Sequence, residues 1–140
     1  MNDVLWRPSA AQIEASRMEA FRRWVSLRFN VQLDDYAALH RWSIEQRAAF
    51  WQSLAEYFQV RWHTAANQVL DEGAQMTDTH WFSGATLNFA EHLLRRRDQR
   101  PALIAVSEDG GRQVLSHAEL AAHVAGLQHA LQAMGIQPGD

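Results

Sequence analysis

The residues in this chain that could hold a metal ion are its seven histidines: His40, His63, His80, His92, His117, His123 and His129. No two of them stand three or four apart, so no helix face presents a pair of imidazoles, and solvated or capping roles suit them better. Ser116, His117 and Asp109 are the right types for a nucleophilic triad. The serine lacks the flanking glycines of a nucleophile elbow, which leaves that assembly without support. Arg95, Arg96, Arg97 and Arg100 could grip a phosphate. The net charge is -3, however, and no basic stripe with interleaved aromatics continues from them, so they read as a solvated helix end with no nucleic-acid partner. Gly110-Gly111 is the one adjacent glycine pair, and after Glu108-Asp109 it reads as a hairpin turn rather than a phosphate cradle.

Two absences narrow the chemistry further. All 13 basic residues are arginine, so a Walker A loop or a Schiff base, each of which needs a lysine ammonium, cannot be completed within the chain. There is no cysteine either, which removes disulfides, thiolate nucleophiles and Cys-ligated metal sites and fits a reducing, cytoplasmic setting. The start, Met1 to Pro8, has no basic region leading into an apolar stretch, and the longest apolar run, Ala102 to Val106, is too short to cross a bilayer. No membrane partner is implied. With 47% hydrophobic and 21% charged residues over 140 positions, the composition is that of a folded, soluble protein.

The elements that would position such residues fall into two groups, because all fourteen aromatics lie between Trp6 and Phe89. Pro8-Ser9 signals a helix start, and Phe21, Trp24, Val25 and Phe29, at offsets 0, 3, 4 and 8, form one helical face. A short helix is expected after Asp34 or Asp35, carrying Tyr36 and Leu39 and ending near Trp42. Ser43 with Gln46 reads as a capping box for a further helix whose face is Ile44, Ala48, Trp51, Leu54, Ala55 and Phe58. Trp51 is thereby expected in the core, and in a full-length protein its truncation to alanine is expected to cost about 3–5 kcal/mol. From Val60 to Ser83 the periodicity lapses into an extended or irregular connection whose Trp62, Trp81 and Phe82 are expected to be buried against other elements. A short helix around Leu87, Ala90 and Leu94 then runs into Arg95-Arg96-Arg97.

The last third changes character. Ala102 to Val106 reads as a strand, Glu108 to Gly111 as a turn and Gln113 to Leu115 as a returning strand. Ser116 and Glu119 make a capping box for a helix with Leu120, Val124, Leu127, Leu131 and Met134 on one side, stopped by Gly135. The turn Ile136 to Asp140 would ordinarily lead into another strand, so the chain reads as cut in mid-fold, with a sheet edge left unpaired.

Several strings carry a family resemblance. Trp6-Arg7-Pro8-Ser9, Tyr36-Ala37-Ala38-Leu39-His40-Arg41-Trp42-Ser43, Phe50-Trp51, Trp81-Phe82-Ser83-Gly84-Ala85-Thr86-Leu87-Asn88-Phe89-Ala90-Glu91 and the closing Gly135-Ile136-Gln137-Pro138-Gly139-Asp140 resemble the N-terminal region of the acetoacetyl-CoA synthetases. These acetoacetate-CoA ligases are relatives of the acetyl- and propionyl-CoA synthetases in the AMP-forming, adenylate-forming superfamily. The resemblance spans essentially the whole chain. It implies a two-step ligation: the acid carboxylate attacks the α-phosphate of ATP to give an acyl adenylate and diphosphate, and the CoA thiol then displaces AMP.

ATP, Mg²⁺ and CoA are thus implied for the full-length family enzyme, with acetoacetate as the acid and the remainder of the synthetase as partner. The family's Ser/Thr/Gly-rich phosphate loop with its lysine, and the catalytic lysine of its C-terminal domain, have no counterpart in this sequence. No catalytic, cofactor-binding or metal residue therefore carries over, and this chain alone is not expected to catalyse the reaction. The expected fold is α+β and mainly helical: an N-terminal helical region over about residues 9–96, then the first β-hairpin and helix of an incomplete adenylate-forming domain. The corresponding division is 1–96 and 97–140. Two other readings are an N-terminal region of an acetyl- or propionyl-CoA synthetase and a stand-alone helical interaction module that binds through its aromatic faces.

Overall fold

The computed structural model describes residues 5–137 and Gly139. The first four residues, with Pro138 and Asp140 of the closing turn, lie outside the described residues. The chain is α+β and mainly helical, and it folds as two units, Met1–Leu87 and Asn88–Asp140.

In the first unit, Ser9 opens α1 (Ala10–Glu14) with a full capping box: its hydroxyl accepts from the Gln12 N–H, and the Gln12 side chain accepts from the Ser9 N–H. That helix is cut short because Ser16 caps a new one, α2 (Arg17–Phe29), by accepting from the Glu19 N–H at 3.1 Å. Asn30 closes α2 in the left-handed conformation, φ 51°, which asparagine tolerates better than most side chains. Asp35 caps α3 (Tyr36–Glu45), as expected, but the helix runs three residues beyond Trp42.

The expected Ser43–Gln46 capping box does not form. Ser43 lies inside α3 and donates its hydroxyl to the His40 carbonyl at 2.7 Å. Gln46 (φ -119°, ψ 54°) stands between α3 and α4 (Arg47–Tyr57) without making a side-chain cap. The break at Gln46 resets the helical phase, so the side of α4 that meets the core carries Ala49, Phe50, Leu54 and Tyr57, with Ser53 fully buried among them. Trp51 and Phe58 fall on the exposed side, and Ile44, within α3, is exposed as well. The core consists of Phe21, Val25, Leu33, Leu39 and Trp42. Its rings meet mostly edge to face, with Phe21 5.1 Å from Tyr57, Trp42 5.7 Å from Phe29 and Trp42 6.2 Å from Phe50.

The segment read as irregular contains a small antiparallel sheet. Strand β1 (Gln68–Asp71) pairs with β2 (His80–Ser83), Gln68 opposite Ser83 and Asp71 opposite His80, with a 3-10 turn at Met76–Asp78 between them. Gly73 is required in that connection, because a Cβ there would collide with the Cβ and backbone of Asp78. Trp62 and Phe82 lie ring against ring at 5.1 Å, half-buried, and Trp81 sits edge-on to Trp51 at 5.4 Å. The expected full burial of these rings is therefore not reached.

In the second unit, Asn88 caps α5 (Phe89–Leu93). This helix ends at Leu93, so Arg95, Arg96 and Arg97 follow it rather than forming its last turn. Strands β3 (Pro101–Val106) and β4 (Arg112–Ser116) make the expected hairpin and α6 (His117–Ala133) the expected helix. Ser116 and Glu119 form the capping box, and Gly135, at φ 84°, stops the chain after α6. Ser116→Ala is expected to lower the stability of this unit by about 1 kcal/mol through loss of the cap. Thermal melting of the variant tests this, and an unchanged midpoint would show that the cap contributes nothing.

Candidate functional site

The residues weighed for catalysis sit in structural roles. Ser116 is buried, and its hydroxyl donates to Glu119 at 2.6 Å while capping α6. The serine hydroxyl and N–H together hold the Glu119 carboxyl below the usual carboxylate range. Asp109 is engaged elsewhere: it accepts from the Ser107 hydroxyl and from the Gly111 N–H, and the serine bond, then the backbone bond, lowers its pKa. Nucleophile, base and orienting acid are thus not brought together. Among the described residues no group of three or more His, Cys, Asp or Glu side chains converges as a metal site would. Arg100 is bonded to Asp98 and holds that carboxyl down to about 2.

At two places, the β3–β4 turn and the start of α6, the backbone N–H groups are already satisfied internally. The Gly110 N–H donates to the Ser107 carbonyl at 3.0 Å and the Gly111 N–H to Asp109 at 2.9 Å. At the start of α6, the His117 and Ala118 N–H groups donate to the Arg100 and Asp98 carbonyls, and the Glu119 N–H donates to Ser116. Neither place therefore presents free N–H groups to the phosphates of ATP.

What the second unit offers instead is uncovered apolar surface. Leu103 and Ile104 are consecutive in β3 and so face opposite sides of the sheet, yet each is 53% exposed. A continuous apolar strand suits burial on both faces, and here neither face is fully covered. Burial on α6 is concentrated in its first turns, around Ala121, while Leu127, Leu131 and Met134 beyond them are exposed. Among the described residues the β3–β4 sheet has two strands, each with one edge not paired to another strand.

The first unit places its strongest electrostatics around Glu19, whose side chain is 13% exposed. Arg22 bonds it with two nitrogens, at 2.8 and 2.5 Å, and Arg23 adds a third bond at 2.8 Å. Arg22 also donates to the Leu33 carbonyl and so ties α2 to the loop before α3; Arg23 reaches Glu14 and ties α2 to α1. Every charge in this cluster has a partner, which marks it as a structural clamp.

Comparison with known proteins gives the apolar surfaces a context. Residues 36–93 match the family model described as the acetyl-coenzyme A synthetase N-terminus. Those limits coincide with the first residue of α3 and the last of α5. The chain is 40% identical over 136 residues to an acetoacetyl-coenzyme A synthetase of Rhizobium meliloti, covering 97% of this chain and 21% of that protein. It is 36% identical over 145 residues to a malonamoyl-CoA synthetase of Penicillium aethiopicum, covering 99% of this chain and 20% of the relative. An acetoacetyl-CoA synthetase of Macaca fascicularis is 29% identical over 140 residues, with 98% and 20% covered. The chain thus spans about a fifth of the length of the curated relatives it matches. No solved structure matches it. Among the described residues, no helix is long and apolar enough to cross a membrane.

Sequence reasoning did not single out the exposed faces of β3 and α6 as functional. The available signal was the apolar run Ala102 to Val106, whose double-sided pattern asks for more cover than one helix supplies.

Proposed function

We propose that this chain is the N-terminal part of an acetoacetate-CoA ligase, which converts ATP, acetoacetate and CoA into acetoacetyl-CoA, AMP and diphosphate. The observation that carries this reading is similarity along 97% of the chain, at 40% identity, to a protein of that name. The acyl groups named for the first two relatives, acetoacetyl and malonamoyl, both place a second carbonyl β to the carboxyl carbon. The substrate class is therefore a short carboxylic acid bearing a β-carbonyl group, with acetoacetate as the member chosen here.

Within that enzyme, residues 1–96 form a helical N-terminal region and residues 97–140 begin the adenylating domain. The role of both is structural. Supporting this, the apolar faces of β3 and α6 have the exposure of elements completed by further strands and helices. Phosphate binding, Mg²⁺ and the CoA site belong to the remainder of the synthetase, since catalysis of phosphoryl chemistry requires cationic stabilisation that this lysine-free chain is not arranged to supply. The setting is cytoplasmic.

The test is diphosphate release with ATP, Mg²⁺, CoA and acetoacetate. The whole protein is expected to turn over in an acetoacetate-dependent manner, and the 140-residue chain to show no turnover. A whole protein that ignores acetoacetate but uses acetate would shift the reading to the acetyl-CoA synthetases; catalysis by the pure 140-residue chain would overturn its structural role.

A further inference from the structure

Helix α1 is weakly anchored to the unit that carries it. None of its five residues is buried, and Ile13, its one large apolar side chain, is 48% exposed. A cleft of about 590 Å³ is lined by Ile13 of α1, by Met18 and Arg22 of α2 and by Tyr36 and Leu39 of α3. Part of α1 therefore borders a void, where dispersion contacts are lost. Five residues are too few to hold a helix by themselves, so contacts to α2 must keep it in place. The side-chain tie is Arg23 to Glu14, with Nη1 donating to Oε1 at 2.6 Å. Its two side chains are 50% and 61% exposed. Ion pairs so exposed contribute little and are screened by salt.

Breaking this tie strands no charge. Arg23 keeps a second carboxylate, because its Nε donates to Glu19 at 2.8 Å, and Glu19 also keeps Arg22. Glu14 passes from a half-exposed site into water. Nor does α2 need α1 in order to begin: Ser16 caps it with its own hydroxyl. The same residue supplies a joint, since its extended backbone (φ -75°, ψ 147°) interrupts the helical run between Ala15 and Arg17. What opening gives up is the exposed ion pair, a half-exposed isoleucine and the few hydrogen bonds of α1, such as the Ile13 N–H to the Ser9 carbonyl.

We infer that α1 is a salt-sensitive strap: it swings away from the cleft at Ser16 while α2, α3 and α4 stay folded, and ionic strength sets how often the cleft stands open. The inference concerns contacts within the first unit and holds whichever acid the whole protein ligates.

The experiment is hydrogen–deuterium exchange on the whole protein, read by mass spectrometry in peptides covering α1 and α2, at about 0.02 M and about 0.5 M sodium chloride. The α1 amides are expected to exchange about a hundredfold faster than those of α2. The higher salt should speed α1 about threefold further and leave α2 unchanged. Glu14→Gln is expected to bring α1 at low salt to the rate that the parent reaches at high salt, and to abolish the salt response. Exchange of α1 in step with α2 would mean that it opens only with the whole unit, and overturns the inference. A parent whose α1 ignores salt, or a salt response that persists in Glu14→Gln, overturns it as well, because the Glu14–Arg23 pair would then not be the latch.

Discussion

Trp42→Ala is expected to cost the first unit about 3–5 kcal/mol, the range of a buried aromatic truncation. Trp42 is 9% exposed and belongs to a core of five buried side chains, with Phe29 and Phe50 held edge-on at 5.7 and 6.2 Å. Removing its indole leaves those rings facing a void that a small core cannot close. Trp51→Ala, nine residues away, is expected to cost well under half as much, because Trp51 is 44% exposed and loses only edge contacts to Phe50 and Trp81. Urea unfolding followed by far-ultraviolet circular dichroism compares the two. Equal losses would mean that Trp51 anchors the helices as much as Trp42 does, contrary to the packing described above.

Acid is expected to weaken the first unit through Glu19. Its carboxyl is pulled from an ordinary 4.5 to about 2, first by its bond to Arg22 and then by the bond to Arg23. A group whose folded pKa is depressed stabilises the fold above its unfolded pKa and loses that contribution as pH falls through the folded value. Stability should therefore be fully present near neutrality and decline between about pH 5 and pH 2. Glu19→Gln keeps the shape but not the charge, so it should be less stable than the parent at pH 7 and show a flatter decline in acid. Glu14, lowered chiefly by Arg23, leaves some slope in the variant. Parallel stability–pH curves for parent and variant would show that the clamp does not govern acid unfolding.

Much of the second unit was legible because its signals act within four residues. Ser116 finds Glu119 in the next turn, Gly110 and Gly111 supply the bend between β3 and β4, and Gly135 stops α6, all as the local pattern predicts. In the first unit the same type of signal misled. Ser43-x-x-Gln46 has the spelling of a capping box, but α3 continues through Ser43 and its hydroxyl turns back to His40. The three extra residues of α3 change the phase at Gln46, which exchanges Trp51 for Phe50 on the core side. Ser16, the cap that separates α1 from α2, is a local signal of the same kind.

The sequence by itself determined which side-chain chemistries this chain can carry and which known proteins it is similar to. Without lysine or cysteine there is no side-chain ammonium or thiolate, however the chain folds, and the strings around Trp42 and Trp81 resemble a synthetase N-terminus. Only the tertiary structure decided which tryptophans are buried. Trp42 and Trp51 are the same residue type on neighbouring helices, and their different fates follow from the rotation of α4 about its axis, set by packing against residues more than twenty positions away. Likewise β1 and β2, with no alternating pattern of their own, are paired by contacts that bring Gln68 opposite Ser83. Caps and turns are short-range and can be read in one dimension; the phase of a helix against a core is a long-range property and exists only once the core has formed.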